Sequence, residues 1–196
     1  MKIVIIEGPD NTGKNTIISN LIETNPISKI IHCGKPESSD PKKAYFQQLL
    51  TFTKYANIAI NDYAVGDEDV LIFNRFYQGE YVYGQMYRGG DKEKIIDLIN
   101  YIENTRLCSP NTIDSNDLYY VQLMSTSSQL LKNNDDAKSL SQAKLDLIEK
   151  EQQLFKEVFE LSSIKKKKII YVNKEGTDEF KSREEILDEF TKFINN

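Results

Sequence analysis

The chain has 196 residues, a formal net charge of −5 at pH 7, 39% hydrophobic residues and 28% charged residues. This length predicts one domain over residues 1–196, and the balance of apolar and charged residues excludes a disordered chain. The acidic charge argues against nucleic-acid binding, and no apolar run approaches the roughly 18 residues that a membrane-spanning helix needs.

Basic residues and cysteines narrow the class of protein further. The chain carries 21 lysines but only four arginines, which are Arg75, Arg88, Arg106 and Arg183. Two cysteines, Cys33 and Cys108, are too few for a disulfide framework or a structural zinc site. The chain begins with a strand-like apolar run that lacks the features of a signal peptide. We therefore expect a soluble cytoplasmic protein, or one of the host cytoplasm if the gene is viral.

Short apolar segments alternate with helical periodicities along the chain. In chain order, the first half predicts a strand over Lys2–Ile6, a helix over Ile17–Ile22, a strand over Lys29–His32, a helix from Pro41 through Tyr55, and a strand over Val70–Phe73. The second half predicts a helix over Ile95–Ile102, a strand over Leu118–Met124, a helix over Ser141–Leu161, a strand over Lys168–Val172, and a helix over Glu184–Ile194. Short strands that alternate with helices indicate an α/β fold with a parallel sheet.

Two polar stretches interrupt this pattern. Ser125–Lys138 is expected to be a mobile loop, because it carries no apolar periodicity. The lysine run Lys165–Lys168 is expected to be a solvated turn between a helix and a strand rather than a nucleic-acid patch.

The segment Gly8–Thr16 carries the most specific signal in the chain. It has Gly8, four intervening residues, and then Gly13 and Lys14, which is the spacing of a nucleotide phosphate loop. The loop follows a buried strand and opens a helix, so its backbone amides and the helix N-terminus can bind phosphate oxygens while Lys14 bridges the terminal phosphates. The predicted ATP-binding residues are Gly8, Asn11, Thr12, Gly13, Lys14, Asn15 and Thr16.

One position in this loop departs from the usual pattern. The residue after the lysine is normally Ser or Thr, whose hydroxyl binds Mg²⁺, but here it is Asn15. An amide oxygen also binds hard cations, although with a different reach. Asn15 is therefore the candidate metal ligand, and nucleotide binding is the firmer inference.

With Gly8-Pro9-Asp10-Asn11 in view, the chain resembles the thymidylate kinase family, in its phage-type branch of deoxynucleoside-monophosphate kinases. The segments Phe73–Arg88 and His32–Pro36 support this resemblance. The resemblance implies a three-layer P-loop kinase fold, with a five-stranded parallel sheet, helices on both faces, and a lid at approximately residues 125–145. It also implies transfer of the γ-phosphate of ATP to a deoxynucleoside monophosphate, usually dTMP, with Mg²⁺, in a homodimer.

The resemblance also assigns roles to particular residues. It implies that Lys14 and Arg75 are catalytic, because they match the cations that hold the donor and acceptor phosphates. It implies an acceptor site that includes Asp10, Arg75, Tyr83 and Glu80, with Arg88 as a weaker anion contact. The aromatic face for the base comes from Phe46 or Phe52; no motif fixes which, and we take Phe46 as the candidate.

Other departures keep two alternative functions open. The resembled family has Asp before the arginine that matches Arg75, whereas this chain has Asn74. The family usually has an arginine in the lid or the phosphate loop, but no arginine lies between Ser125 and Glu160 in this sequence. The lid therefore depends on Lys132, Lys138 and Lys144, of which Lys138 is the first choice. These departures motivate a catalytically weak nucleotide-binding protein as the second hypothesis. A deoxynucleoside kinase ranks third, because no clear glutamate base or paired arginine motif is present.

Overall fold

Five parallel strands form the centre of the computed structural model, which describes residues 1–24, 28–66, 69–109, 112–135, 137 and 139–195. The strands are β1 (Lys2–Glu7), β2 (Ser28–His32), β3 (Val70–Asn74), β4 (Leu118–Met124) and β5 (Lys166–Tyr171). They pair in parallel in the order β2-β3-β1-β4-β5. The predicted five-stranded parallel sheet is therefore confirmed.

Helices connect the strands. They are α1 (Lys14–Thr24), α2 (Pro41–Val65), α3 (Gln78–Arg88), α4 (Lys92–Asn100), α5 (Ser128–Asn133), α6 (Leu145–Leu161) and α7 (Arg183–Asn195). The longest helix is α2. Asp40 caps its N-terminus by accepting a hydrogen bond from the Lys43 backbone amide at 2.9 Å, and Pro41 is the first residue of the helix. The helix ends at Val65, and the capping residue Gly66 has a φ of +74°, in the left-handed region.

The helices cover both faces of the sheet. On one face, Ile18 of α1 and Phe190 of α7 pack with Val4 of β1. On the other face, residues of α2, α3, α4 and α6 form one core together with Ile3 and Ile5 of β1. Because β1 is central, its side chains alternate between two apolar cores, and its continuous apolar run follows from that position.

Two expectations about local structure are corrected. The run Lys165–Lys168 is not a turn, because Lys166, Lys167 and Lys168 pair with β4 as the first residues of β5. The stretch expected to be a mobile loop contains α5, which Ser127 caps by accepting from the Leu130 amide at 3.0 Å. Its last residue, Lys138, lies outside the described residues.

Two helix boundaries also differ from the prediction. The helix expected from Ser141 begins at Leu145, because Gln142 and Ala143 adopt positive φ values of 51° and 56°. The helix expected over Ile95–Ile102 ends as α4 at Asn100 and continues as a π-helical turn over Tyr101–Leu107. Within the described part of the chain, no helix has the length and apolar character that crossing a membrane requires.

Candidate active site

The loop between β1 and α1 depends on two glycines. Gly8 has a φ of +139°, and a Cβ atom on it would lie 2.0 Å from the carbonyl oxygen of Leu123 in β4. Gly13 has a φ of +76°, which other residues rarely adopt. A side chain at position 8 would therefore collide with the sheet, whereas Gly13 supplies the left-handed turn from which α1 begins. The N-terminus of α1, with its partial positive charge, consequently faces the cavity that this loop borders.

Lys14 is buried against its own loop. Its Nζ donates to the carbonyl oxygens of Gly8 at 2.9 Å and of Pro9 at 2.5 Å. Burial, and next the nearby Arg75 guanidinium, lower the pKa of Lys14 to about 7. Its hydrogen bonds go to neutral oxygens, so this ammonium would gain more from an anion in the cavity than from its present partners.

Arg75 follows β3 and points back toward the loop. It has a φ of +65°, which is unusual for a residue with a side chain. One of its terminal nitrogens forms an ion pair with Asp10, and the other donates to the Tyr83 hydroxyl at 3.0 Å and the Gly8 carbonyl at 3.2 Å. Burial by itself would lower the pKa of Arg75, but Tyr83, Asp10 and then Glu7 raise it above its ordinary value. Arg75 is therefore a permanent cation fixed by neighbours on three elements.

Glu7, at the end of β1, is a site residue that the sequence analysis missed. It is fully buried, and its Oε1 accepts from the backbone amides of Phe76 at 2.6 Å and Gly79 at 3.0 Å. Its Oε2 lies 4.0 Å from Arg75. Burial raises the pKa of Glu7, and Arg75 opposes that shift. Glu7 thus anchors the start of α3 and contributes to the field around Arg75; an acidic residue that ends an apolar strand was the available signal.

Two asparagines and a histidine meet beside Lys14. The Asn74 Nδ2 atom lies 2.8 Å from Asn15 Oδ1 and 3.0 Å from His32 Nδ1. All three residues border a cavity of about 540 Å³, the phosphate-loop cavity, whose other lining residues include Asn11, Gly13, Lys14, Thr16 and Ser139. Of the predicted ATP-binding residues, Gly8 and Thr12 lie behind this lining and support the loop, where Thr12 donates to the Pro9 carbonyl at 2.9 Å.

A second cavity, of about 260 Å³, opens on the other side of Arg75. Phe52 of α2 and Phe76 line this aromatic cavity, with their ring centroids 5.7 Å apart at an angle of 82°. The expectation for Phe46 is corrected, because 61% of that residue is exposed and it does not border the cavity. Phe46 and Phe52 are six residues apart and lie on different faces of one helix, so Phe52 is the aromatic candidate.

The polar end of the aromatic cavity is an ion pair. Arg88 donates to Glu80 Oε2 at 2.5 Å, and both residues border the cavity together with Gln48. Burial raises the pKa of Glu80, and Arg88 opposes that shift. Glu80 therefore borders the aromatic cavity, and its carboxylate is engaged with Arg88. Arg88, the weaker candidate, has a buried Nε for which the described residues supply no hydrogen-bond partner.

Two tyrosines of α3 connect Arg75 to α6. Tyr83 is buried and its ring lies 6.2 Å from that of Tyr87, between centroids. The Tyr87 hydroxyl donates to Glu151 Oε1 at 2.5 Å. Burial raises the pKa of Glu151 to about 7, the hydrogen bond from Tyr87 lowers it, and the Asp10 carboxylate raises it. Glu151 is the second residue that was missed, since an acid within an amphipathic helix gives no motif.

The segment that precedes α6 lies over both cavities. Asp135 accepts from the Asn11 amide at 3.3 Å and from the Ser139 hydroxyl at 2.7 Å. Ser139 borders the phosphate-loop cavity, and Leu140 borders the aromatic cavity. The two described lid lysines, Lys132 and Lys144, are both exposed. Lys138, the first choice for a lid cation, lies outside the described residues.

The two cavities meet at Arg75. They share Asp10, Cys33, Gly34 and Arg75 as lining residues. Most of the predicted site residues therefore come together: the loop lines one cavity, Glu80 and Tyr83 line the other, and Asp10 and Arg75 line both. The arrangement can hold one anionic group beside Lys14 and a second, on a ring-bearing molecule, on the far side of Arg75.

Comparisons with known proteins show similarity in structure rather than in sequence. No family model and no curated protein matches the chain. The YorR protein from Bacillus subtilis, in complex with phosphorylated GDP, is 18% identical over 99% of this chain and 96% of its own, with a TM-score of 0.67. Thymidylate kinase from Candida albicans is 12% identical over 99% of this chain and 91% of its own, with a TM-score of 0.66.

A third solved structure has the same arrangement of elements. Deoxyadenosine kinase from M. mycoides, with the products dCMP and a flexible dCDP bound, is 14% identical over 98% of each chain, with a TM-score of 0.56. These similarities, together with the sheet order described above, show that the chain has the P-loop kinase fold. The predicted fold class is therefore confirmed.

Proposed function

We propose that the chain, as one catalytic domain over residues 1–196, transfers the γ-phosphate of ATP to a deoxynucleoside monophosphate, with dTMP as the first candidate acceptor. The observation that carries this proposal is the pair of cavities that meet at Arg75. One has the residues of a phosphate loop, and the other has aromatic walls and a polar end. The name of one similar structure, thymidylate kinase, agrees with such an acceptor, whereas the name deoxyadenosine kinase agrees with the deoxynucleoside kinase alternative.

The reaction requires two polyanions to approach each other in line. An oxygen of the ionised acceptor phosphate attacks the γ-phosphorus, and the bond to the oxygen that leaves with ADP breaks, so no general base is needed. In the proposed complex Lys14 binds the donor phosphates, and Arg75 lies between them and the acceptor phosphate. Asp10 and Tyr83 hold the Arg75 guanidinium at two of its nitrogens, which fixes its direction.

The residues present fit a divalent cation that arrives with the nucleotide. The described residues include no group of three or more His, Cys, Asp or Glu side chains that can hold a metal ion. They do place the Asn15 and Asn74 amides and Thr16 around the phosphate-loop cavity. Mg²⁺ usually takes one or two protein oxygens and completes its shell with phosphate and water. When bound, it would neutralise phosphate charge, and Asn15 is the proposed ligand.

An assay of ADP release tests this function. It uses ATP, Mg²⁺ and each of the four deoxynucleoside monophosphates, with thymidine and no acceptor as controls. ADP release that depends on a monophosphate supports the proposal and identifies the base. ADP release with thymidine, together with no release for any of the four monophosphates, would instead identify a deoxynucleoside kinase.

A catalytically weak nucleotide-binding protein is the second candidate. It is favoured by Asn15 and Asn74, which place neutral amides at positions where the resembled family has a hydroxyl and a carboxylate. This candidate predicts nucleotide binding in calorimetry with no ADP release for any acceptor. If the two asparagines are the cause of the weak activity, the double variant Asn15→Ser, Asn74→Asp should raise the rate of phosphate transfer. An unchanged rate in this variant would exclude the metal site as the cause.

Phe52 is expected to contribute to acceptor binding. The substitution Phe52→Leu keeps most of the apolar volume but removes the flat ring, so the KM for the acceptor should rise by about tenfold, as expected for loss of a base-stacking contact. The matched control is Phe46→Leu on the exposed side of the same helix, which should leave both KM values unchanged. Steady-state kinetics with each substrate varied measures this difference. Equal effects of the two variants would contradict the assignment of Phe52.

Nucleotide binding is expected to take up a proton above neutral pH. Burial and Arg75 lower the pKa of Lys14 to about 7, so most of the free protein carries a neutral Lys14 at pH 8. Phosphate beside the amine restores its charge, which raises the pKa and requires a proton; we expect uptake of about 0.9 proton at pH 8 and little at pH 6. Calorimetric titration with ADP in Tris and in HEPES, whose ionisation enthalpies differ, measures the uptake. Uptake that persists in Lys14→Met would assign it to another group.

A further inference from the structure

We infer that His32 is a positioning residue for the Asn74 side chain, which it turns so that the Asn74 carbonyl oxygen faces the phosphate-loop cavity. The inference rests on the proposed function, because it concerns the cation that accompanies a nucleotide. Asn74 Nδ2 lies 3.0 Å from His32 Nδ1 and 2.8 Å from Asn15 Oδ1. Both contacts use the nitrogen of the amide, so its oxygen is the part that remains for the cavity.

The sheet places these residues together. His32 and Asn74 are the last residues of β2 and β3 and are partners in the parallel register. Their side chains therefore leave the sheet at its carboxyl edge on the same side, next to the first turn of α1, where Asn15 lies. The described residues supply no hydrogen-bond donor to Asn74 Oδ1, and that atom is not among the buried atoms without a partner. Asn74 itself borders the phosphate-loop cavity, so its amide lies at the wall of that cavity.

Asn15 alone cannot fix the direction of this amide. If both asparagine amides rotated by 180°, the Asn15 nitrogen would donate to the Asn74 oxygen, and the contact between them would be preserved. His32 removes this ambiguity, because Nδ1 of a neutral imidazole accepts when the proton is on Nε2. The Asn74 nitrogen must then face His32, and the Asn15 oxygen must face Asn74. The ring thus determines the direction of both amides.

The direction matters because asparagine is asymmetric. A carboxylate at position 74 would present an accepting oxygen in either orientation, whereas an amide presents either an oxygen or two N–H donors. Only the oxygen can bind a hard cation directly or through water. In a site with neutral amides at both positions, the orientation of Asn74 therefore decides whether position 74 contributes to cation binding beside Asn15. Partners of this kind commonly change metal affinity by about 10- to 100-fold.

The protonated nitrogen of His32 gives a direct test that needs no nucleotide. His32 is the one histidine in the sequence, so a nitrogen-15 NMR spectrum of the full chain contains a single imidazole. At pH 8.5 we expect the tautomer with the proton on Nε2 and a bare, accepting Nδ1. A ring with its proton on Nδ1 would donate to Asn74 and require the opposite amide orientation, which would overturn the inference.

Two variants test the consequence for cation binding. His32→Asp keeps an oxygen near the position of Nδ1 that can only accept, whereas His32→Phe removes the acceptor. We expect the ratio of ADP affinity in Mg²⁺ to ADP affinity in EDTA to fall about tenfold in His32→Phe and to be retained in His32→Asp. An equal loss of affinity with and without Mg²⁺, or no loss in His32→Phe, would overturn the inference.

These results are separable from a failure of the proposed function. A wild-type chain that binds Mg²⁺·ADP but transfers no phosphate would contradict the kinase, while the comparison of variants would still decide the role of His32. A wild-type chain that binds no nucleotide would also contradict the kinase. In that case the tautomer decides the orientation of Asn74, and a ring with its proton on Nδ1 overturns the inference.

Discussion

Replacing Lys14 by alanine is expected to lower kcat/KM for phosphate transfer by about 10³-fold, the upper range for loss of one donor that stabilises transition-state charge. In the free protein the Lys14 Nζ contacts only oxygens of its own loop in the described structure. It therefore reaches the phosphates without breaking an ion pair. The two described lysines of the lid, Lys132 and Lys144, are exposed, and neither borders the phosphate-loop cavity. Steady-state ADP release measures the loss.

Thermal unfolding distinguishes this effect from misfolding. Burial lowers the pKa of Lys14 in the folded protein, so the unfolded chain binds the proton of this amine more tightly. Ionisation of Lys14 therefore disfavours the folded state at every pH below about 10. We therefore expect Lys14→Ala to have a Tm at pH 7 no lower than that of the wild type. Lys132→Ala, at an exposed lysine of the lid, is the matched control and should keep full activity. Wild-type turnover in Lys14→Ala would exclude the proposed mechanism.

The central sheet was predictable because each strand carries its own apolar run. β1, β3 and β4 are buried on both faces and show no period-two alternation. β5 was predicted two residues too late because its first half is lysine. Those lysines belong to an edge strand, where one side of the backbone is unpaired and polar side chains reach solvent.

The phosphate side of the site was predictable for a different reason. A loop that must approach phosphate closely needs glycine at fixed positions, so Gly8, Gly13 and Lys14 are visible as spacing. The aromatic cavity has no such requirement. Periodicity gave α2 a wide apolar face, but it could not show that Phe52 faces the cavity while Phe46 and Leu50 face outward, 61% and 71% exposed. The homodimer implied by the resemblance stays a prediction.

Glu7 and Glu151 were missed because their importance arises from burial. A glutamate in sequence is by default a solvated residue, and neither position belongs to a motif. The fold places Glu7 at the end of the central strand and turns Glu151 toward Tyr87, so both lose water and both pKa values rise. Such groups are found from the tertiary structure, since the elements that desolvate them are distant in the chain.

Substitution of Arg75 is expected to cause the second large loss of activity, and Arg75→Lys is the most informative variant at this position. Alanine at this position would leave Asp10 and the fully buried Glu7 without their cation, so loss of stability would obscure the kinetics. Lysine keeps the charge but cannot contact Asp10, Tyr83 and a phosphate at once through a planar fork. We expect kcat/KM for the acceptor to fall by about 10²-fold.

The distribution of that loss between the two substrates is the sharper test. Arg75 borders both cavities, but the phosphate-loop cavity also has the buried Lys14 and the N-terminus of α1. The other cations that border the aromatic cavity are Lys35, which is exposed, and Arg88, which is already paired with Glu80. The KM for the acceptor should therefore rise much more than the KM for ATP, and kcat should fall as well. Arg183→Lys, at an exposed arginine of α7, controls for the chemical change. A loss confined to the KM for ATP would place Arg75 on the donor side and contradict its proposed contact with the acceptor phosphate.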